Sequence, residues 1–318
     1  MYKIGIIEKI HESGIELLKN SKNFEYEVIE DVSQDNLIKI LPRFDGVTLR
    51  VAKLNSDILK NCKKLKVISR HGVGYDNVDL KYLKENNIKL LITATANAVS
   101  VAEHVMYMIL SLSKGITKYD QMVRSGDFRK AVNKIETFEL LNKEILILGF
   151  GRIGKILTKR CIGFEMKVNI FDPFVNNKVI KDFGGKKIED LNSALTTADF
   201  LSIHMPLNKD TKNLIDLNKL KSMKKNIIII NTARGGIINE KDLDYALNNK
   251  IIFGAGLDVF ENEPIEMSNP LIKNNKVLLS PHSATFTKEC KMRMGIQTVQ
   301  NLIDFFENKL ENNMLVKL

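Results

Sequence analysis

At 318 residues, with 44% hydrophobic and 27% charged side chains, the chain is long enough for two ordinary domains with real cores, and its composition is not that of a disordered protein. Its formal net charge of +10 invites a nucleic-acid reading. The lysines are dispersed, however: runs such as Lys63-Lys64 and Lys224-Lys225 are only pairs, none is interleaved with aromatics and no zinc-finger spacing occurs, so no nucleic-acid partner is expected.

The segment Met1-Tyr2-Lys3-Ile4-Gly5-Ile6-Ile7-Glu8 has an apolar run too short for a signal peptide, followed at once by charges, and reads as a first strand over 3–8. Further strands are expected at 27–29, 46–49, 66–69 and 89–93, separated by helical stretches at 12–19, 34–41, 56–61 and 80–86. Such alternation predicts a parallel sheet covered by helices on both faces. From Ser100 to about Arg124 apolar residues recur at helical spacing (Val101, Val105, Met108, Ile109, Leu112), a stretch too long for one crossover and suited to joining two domains.

The alternation then restarts, with strands expected at 145–148, 168–171, 200–204, 226–231, 252–257 and 277–279. The run Ile227 to Ile230 between two asparagines reads as a central strand buried on both faces. A last helix over 287–308 carries Met292, Ile296, Val299, Ile303 and Phe306 on one face. Three widely spaced cysteines (Cys62, Cys161, Cys290) with no CxxC fit a reduced, cytoplasmic interior. No stretch approaches the roughly 18 apolar residues of a membrane helix, so no membrane partner is expected. The expected fold class is α/β, with two doubly wound parallel-sheet domains.

Residues 149–154 read Gly149-Phe150-Gly151-Arg152-Ile153-Gly154, directly after one expected strand and opening a helix. A lone G-x-G-x-x-G is weak, but here both required contexts are present. Gly149 permits the tight turn, Gly151 lets a pyrophosphate approach the backbone, and Gly154 lets helix and strand pack closely. The diphosphate then sits on the helix N-terminus, over Arg152 and Ile153, where free N–H groups favour negative charge. The next strand ends at Phe171-Asp172-Pro173. An acid there accepts hydrogen bonds from the adenosine ribose and repels a 2′-phosphate, so Asp172 points to NAD rather than NADP. A glycine turn with a helix-capping Asp is the competing explanation.

Three ionisable residues stand at strand ends or loops of this second unit: Arg234, Glu263 and His282. Ligands of open α/β sheets bind outside the carboxyl ends of the strands, where these three can converge. Taken singly, each also reads as a surface arginine, a loop glutamate or a helix-capping histidine.

The segments around them are Asn231-Thr232-Ala233-Arg234-Gly235-Gly236, Leu257-Asp258-Val259-Phe260-Glu261-Asn262-Glu263-Pro264 and Ser280-Pro281-His282-Ser283-Ala284. Upstream stand Arg70-His71-Gly72-Val73-Gly74-Tyr75-Asp76-Asn77-Val78-Asp79 and Ser100-Val101-Ala102-Glu103-His104. With the glycine motif, in this order, they make the chain resemble the D-isomer-specific 2-hydroxyacid dehydrogenases over nearly its whole length. Among these it looks most like the phosphoglycerate dehydrogenases without a regulatory domain. The resemblance implies a Rossmann NAD-binding domain over 97–285 and a discontinuous, flavodoxin-like substrate domain of 1–96 with 286–318. It implies a homodimer, with the helix after Ser100 at the interface. It assigns Arg234, Glu263 and His282 as the catalytic set, and Pro206, Thr232 and Asp258 to the cofactor, with Asp258 facing the nicotinamide amide. His71, Gly72, Val73 and Gly74 are assigned to the substrate, the glycine loop holding its carboxylate.

The chemistry agrees with that set. Hydride transfer to a ketone leaves an alkoxide that needs a proton, which a histidine delivers near neutral pH. Glu263 would favour the protonated imidazole and orient it. Arg234 would hold the substrate carboxylate and polarise its carbonyl. No metal is called for.

Two features depart from the family pattern. Ala284 stands where a glycine is usual two residues after the histidine, and its methyl is expected to narrow the nicotinamide site. The chain stops at Leu318, leaving no room for a regulatory domain. Arg50 matches the position where phosphoglycerate dehydrogenases place a basic residue near the substrate phosphate, and Lys53, His71 and Arg129 are expected to add positive charge there. An anionic distal group is therefore expected on a small 2-hydroxy or 2-keto acid. 3-Phosphoglycerate, and with it serine biosynthesis, ranks first, and hydroxypyruvate or glyoxylate reduction second. The competing class is a non-catalytic NAD-sensing module like the corepressors that resemble this family.

Overall fold

The computed structural model describes residues 1–128 and 135–318. They form two compact units, Met1–Asn97 with Thr285–Leu318, and Ala98–Ala284. Each is built on one wholly parallel sheet.

In the first unit the sheet has five strands, β1 (Tyr2–Ile7), β2 (Phe24–Ile29), β3 (Gly46–Leu49), β4 (Val67–Arg70) and β5 (Lys89–Ile92), in the order β2-β1-β3-β4-β5. That is the flavodoxin-like doubly wound order. Successive residues of one strand point to opposite faces, and both faces are covered. Ile7, Val47, Leu49, Ile68 and Leu90 belong to one core, while Ile4, Ile6, Val67 and Leu91 belong to another that also takes Val299 and Leu302 of the terminal helix Lys288–Phe306. This is why these strands read as continuous apolar runs rather than alternating ones. The terminal helix lies close on the helix Glu12–Lys19, because a Cβ on Gly14 would fall 2.3 Å from the Gly295 carbonyl oxygen.

The second unit has seven strands, β6 (Glu144–Leu148), β7 (Lys167–Phe171), β8 (Lys186–Lys187), β9 (Phe200–Ile203), β10 (Ile228–Asn231), β11 (Gly254–Leu257) and β12 (Val277–Leu279), in the order β12-β11-β10-β9-β6-β7-β8. The order reverses between β6 and β9, the crevice where dinucleotides bind in doubly wound sheets. Here too alternate residues feed two cores: Leu146, Leu148, Leu201, Ile203 and Ile229 on one face, Ile145, Ile147, Phe200, Ile228 and Ile230 on the other. β10 is an interior strand with all four residues buried, as its isoleucine run requires.

The expected strands are present with ends shifted by a few residues, and β8 was not anticipated, since Lys186-Lys187 has no apolar signature. The stretch from Ser100 to Arg124 needs a larger correction. It is two helices, Ala98–Lys114 and Ile116–Arg124, broken at Gly115 in the left-handed region at φ 60°. The first buries ten of its residues and the second none, so only the first is part of the core. Among the described residues, no helix is long and apolar enough to cross a membrane, and no group of three or more His, Cys, Asp or Glu side chains is placed to hold a metal ion.

Candidate active site

The loop from β6 enters the helix Arg152–Gly163 through the glycine motif. Gly149 sits at φ 94°, and a Cβ on it would lie 2.5 Å from the His204 carbonyl oxygen, so the turn is pressed against the end of β9 where only glycine fits. A Cβ on Gly154 would meet the Gly149 oxygen at 2.4 Å, the close helix–strand approach expected of the third glycine. At Gly151 a Cβ would meet nothing within 4 Å, leaving open space above the backbone. Gly151 caps the helix without a side-chain hydrogen bond, so the first-turn N–H groups at exposed Arg152 and half-buried Ile153 face outward uncapped. The half-buried Asp172 accepts from Phe150 N at 2.7 Å with one oxygen and from Phe174 N at 2.9 Å with the other, which holds its carboxylate at the mouth of this turn. Exposed Pro206 follows β9, and its carbonyl accepts from Thr211 Oγ1 at 2.7 Å. Thr232 Oγ1, after β10, is buried with no hydrogen-bond partner. An uncapped helix start, open space over Gly151 and an orphaned hydroxyl are what a bound dinucleotide would complete, so these residues fit NAD.

The three candidate catalytic residues follow three adjacent strands, Arg234 after β10, Glu263 after β11 and His282 after β12. His282 Nδ1 donates to Glu263 Oε2 at 2.7 Å, and Glu263 Oε1 accepts from Phe260 N at 3.0 Å. The hydrogen bond to Glu263 raises the His282 pKa against the opposing effect of partial burial, with the charges of Glu263 and Asp258 adding to it. For Glu263, burial opposes ionisation, but the His282 hydrogen bond and charge, with Phe260 N and Arg234, bring its pKa down overall. Arg234 is thus near enough for its charge to act on both. Its backbone is fixed by Asn231, whose Nδ2 donates to the Arg234 carbonyl at 2.8 Å and whose Oδ1 accepts from Ala233 N at 3.0 Å. The next residue, Gly235, packs so tightly on the Phe260 backbone that a Cβ would fall 1.9 Å from it. This close approach brings the arginine turn against the loop that carries Glu263.

Asp258, which the resemblance assigns to the cofactor, is enclosed by the loop that follows β12. Its side chain is 0% exposed, and it accepts from Ser280 Oγ at 2.5 Å, Ser283 N at 2.8 Å and Ala284 N at 3.0 Å. This carboxylate fixes the 280–284 loop. The Asp258 carbonyl also accepts from His282 N at 2.8 Å, holding that residue at φ 50°. Ser280 gives its one proton to Asp258, so His104 Nε2, 2.9 Å from Ser280 Oγ, is the donor of that bond. Ser100 Oγ donates to the Ala284 carbonyl at 2.6 Å. Sequence reasoning missed His104, Ser280 and Ser100 as parts of this network, although all three lie in segments that carry the family resemblance. Ala284 itself is buried, at 4% exposure.

In the first unit, the loop after β4 carries His71, Gly72, Val73 and Gly74. Gly72 O accepts from Thr93 N at 3.0 Å and Gly74 O from Arg70 Nε at 2.7 Å. Arg70 therefore braces this loop, a role the sequence did not reveal. Arg70 Nη1 also donates to the carbonyls of Leu49 and Arg50. Arg50 Nη1 donates to Lys9 O at 3.0 Å, and Lys53 is exposed. His71 does not add positive charge: burial, then the charges of Arg50 and Arg70, push its pKa down to about 4. Arg129 lies outside the described residues.

Residues 106–284 match the sequence model of the family described as D-isomer specific 2-hydroxyacid dehydrogenase, NAD binding domain. The chain is 35% identical to a hydroxypyruvate reductase of Thermotoga maritima over 95% of its own length and 97% of that protein's. It is 31% identical to a D-3-phosphoglycerate dehydrogenase of Archaeoglobus fulgidus over 95% of its own length, but spans only 57% of that relative. Its fold is similar to that of an NAD-dependent formate dehydrogenase from Staphylococcus aureus in complex with NAD, with a TM-score of 0.85, 26% identity and 99% of each chain covered.

Proposed function

The chain belongs to the D-isomer-specific 2-hydroxyacid dehydrogenases, and on that premise we propose that it catalyses hydride exchange between NAD(H) and C2 of a small D-2-hydroxy or 2-keto acid. The observation that carries this reading is the 2.7 Å bond between His282 and Glu263, with the Arg234 charge acting on both. When bound, reduced nicotinamide supplies the hydride. Gly149, Gly151, Arg152, Ile153 and Gly154 hold the diphosphate, Asp172 the adenosine ribose, and Pro206 and Thr232 line the remainder. His282 keeps Nδ1 on Glu263, so Nε2 is the atom that gives its proton to the substrate oxygen during reduction and takes it back during oxidation. Arg234 binds the substrate carboxylate and draws electron density from the carbonyl. The unit of Met1–Asn97 with Thr285–Leu318 is the substrate domain in this reading, with the His71–Gly74 loop as the part assigned to substrate and His71 neutral.

Arg50 and Lys53 favour a distal anion, and so 3-phosphohydroxypyruvate or 3-phosphoglycerate, as in serine biosynthesis. The second reading, hydroxypyruvate or glyoxylate reduction, is favoured by a different observation. The chain is 35% identical to the hydroxypyruvate reductase and 31% identical to the phosphoglycerate dehydrogenase. We further propose a cytoplasmic homodimer, supported by three buried free thiols and by exposed Tyr107, Ile116 and Val123 on the helices after Ala98. The test is NADH oxidation by purified protein with 3-phosphohydroxypyruvate, hydroxypyruvate, glyoxylate and pyruvate. Preference for the phosphorylated acid supports the first reading, and preference for an uncharged-tail acid the second. Tight NADH binding without turnover of any of them would replace both by an NAD-sensing role.

A further inference from the structure

The three strands that lead to the candidate catalytic residues are each preceded by a lysine. Lys225 precedes β10, Lys250 precedes β11 and Lys276 directly precedes β12. With Lys118 of the helix Ile116–Arg124, these lysines line a cavity of about 460 Å³, within the size range of small-molecule sites. Leu112 and Phe253 also line it, and Phe253 is held edge-on by Phe138 with ring centroids 4.7 Å apart. Glu136 is the one carboxylate among the described lining residues, so four ammonium groups face a single opposing charge. The crowding has a cost. Lys276 is half-buried with Nζ donating to the Leu247 carbonyl at 2.5 Å, and its pKa is lowered by burial first and then by the charges of Lys250 and Lys118. An anion relieves that repulsion, and the apolar wall suits an organic body attached to it. Ligands of parallel sheets ordinarily take the carboxyl ends of strands, so this site at the amino ends is distinct from the cofactor crevice.

We propose that this cavity binds a phosphorylated organic molecule, its dianionic group among Lys118, Lys225, Lys250 and Lys276 and its apolar body against Leu112 and Phe253. Lysine is a point-charge binder of phosphate, and three of the four are exposed enough to swing onto a ligand.

The test is calorimetric titration of the full chain, saturated with NADH, with 1-naphthyl phosphate as probe, and with inorganic phosphate and 1-naphthol as the body-only and charge-only omissions. One saturable site per chain is expected for 1-naphthyl phosphate, at least about tenfold tighter than for either control. Lys118→Gln and Lys225→Gln should each weaken it about tenfold, the loss of one charge-assisted hydrogen bond. Lys250→Asn should act likewise, asparagine being chosen because Lys250 sits at φ 55°. Melting temperature of each variant separates lost binding from lost fold. Absence of saturable binding in the parent protein, or unchanged binding in all three folded variants, overturns the proposal. So does a fall in sedimentation mass on introducing the three substitutions together with no probe binding in the parent, because a second copy of the chain would then occupy the cavity.

Discussion

His282 and Glu263 share one hydrogen bond, and each sets the other's charge. Replacing His282 with Ala should lower turnover by about 10² to 10⁴ while leaving NADH binding in place, measured by steady-state rates and fluorescence titration. Reduction needs the protonated ring, so kcat/KM for a keto acid should fall as pH rises through the raised His282 pKa. In Glu263→Gln that falling limb should move to lower pH, because the group that raises the pKa is gone; an unmoved limb would remove Glu263 from the proton chemistry. The same raised pKa makes the pair's contribution to folding fully present below the unfolded histidine value of about 6.5 and lost as pH rises through the folded one. Glu263 itself, with its pKa lowered, adds stability that is lost only as pH falls through the acid range. Arg50 is separable: Arg50→Ala should raise KM for 3-phosphohydroxypyruvate far more than for hydroxypyruvate, and equal effects would make it a bystander. At this scale the sequence singled out Arg234, Glu263 and His282, because ionisable residue types at strand ends are legible from residue type and local spacing. It did not show that His71 is neutral or that Asp258 is enclosed, since burial is a property of the fold. Nor could spacing reveal the His104–Ser280 bond, which joins residues 176 apart.

The glycines make opposite demands on the elements that contain them. At Gly151, φ is −73° and a Cβ meets nothing within 4 Å, so Gly151→Ala should leave the melting temperature nearly unchanged. Its methyl would stand where the diphosphate must approach, so KM for NADH should rise about tenfold or more. At Gly235 a Cβ would fall 1.9 Å from Phe260 backbone atoms. Gly235→Ala should therefore cost about 1–3 kcal/mol of stability and lower kcat as Arg234 is pushed from the Glu263 loop. Thermal melts and kinetics of the two variants distinguish a cofactor surface from a packing contact; equal melting losses would deny the distinction. Elements were legible where both faces of a strand are buried, since an unbroken apolar run such as that in β10 has no other use. They were illegible where the signal is a single residue: the Gly115 break interrupts an otherwise continuous helical pattern, and β8 is an edge strand without apolar residues.

For the whole chain, discontinuity is the property periodicity could not supply. Nothing in the spacing of Met292, Ile296 or Val299 says that the last helix returns to the strands that begin the chain; only the family resemblance did. What holds it there is tertiary, the Gly14–Gly295 approach and the core shared by Ile4, Ile6, Val299 and Leu302. Every residue assigned to the cofactor lies in the other unit, Ala98–Ala284. Binding that favours one folded unit stabilises it by mass action, about 2.7 kcal/mol with NADH at 100 times its Kd. Hydrogen exchange in the slowest amides of β6, β9 and β10 should then slow by about a hundredfold, because their exchange requires that unit to open. The slowest amides of β1, β3 and β4 have no such dependence if their unit opens by itself, and their rates should change far less. Equal slowing in both sets would mean that the chain opens only as one body, and the two sheets, each with its own pair of cores, would then be one cooperative unit of folding.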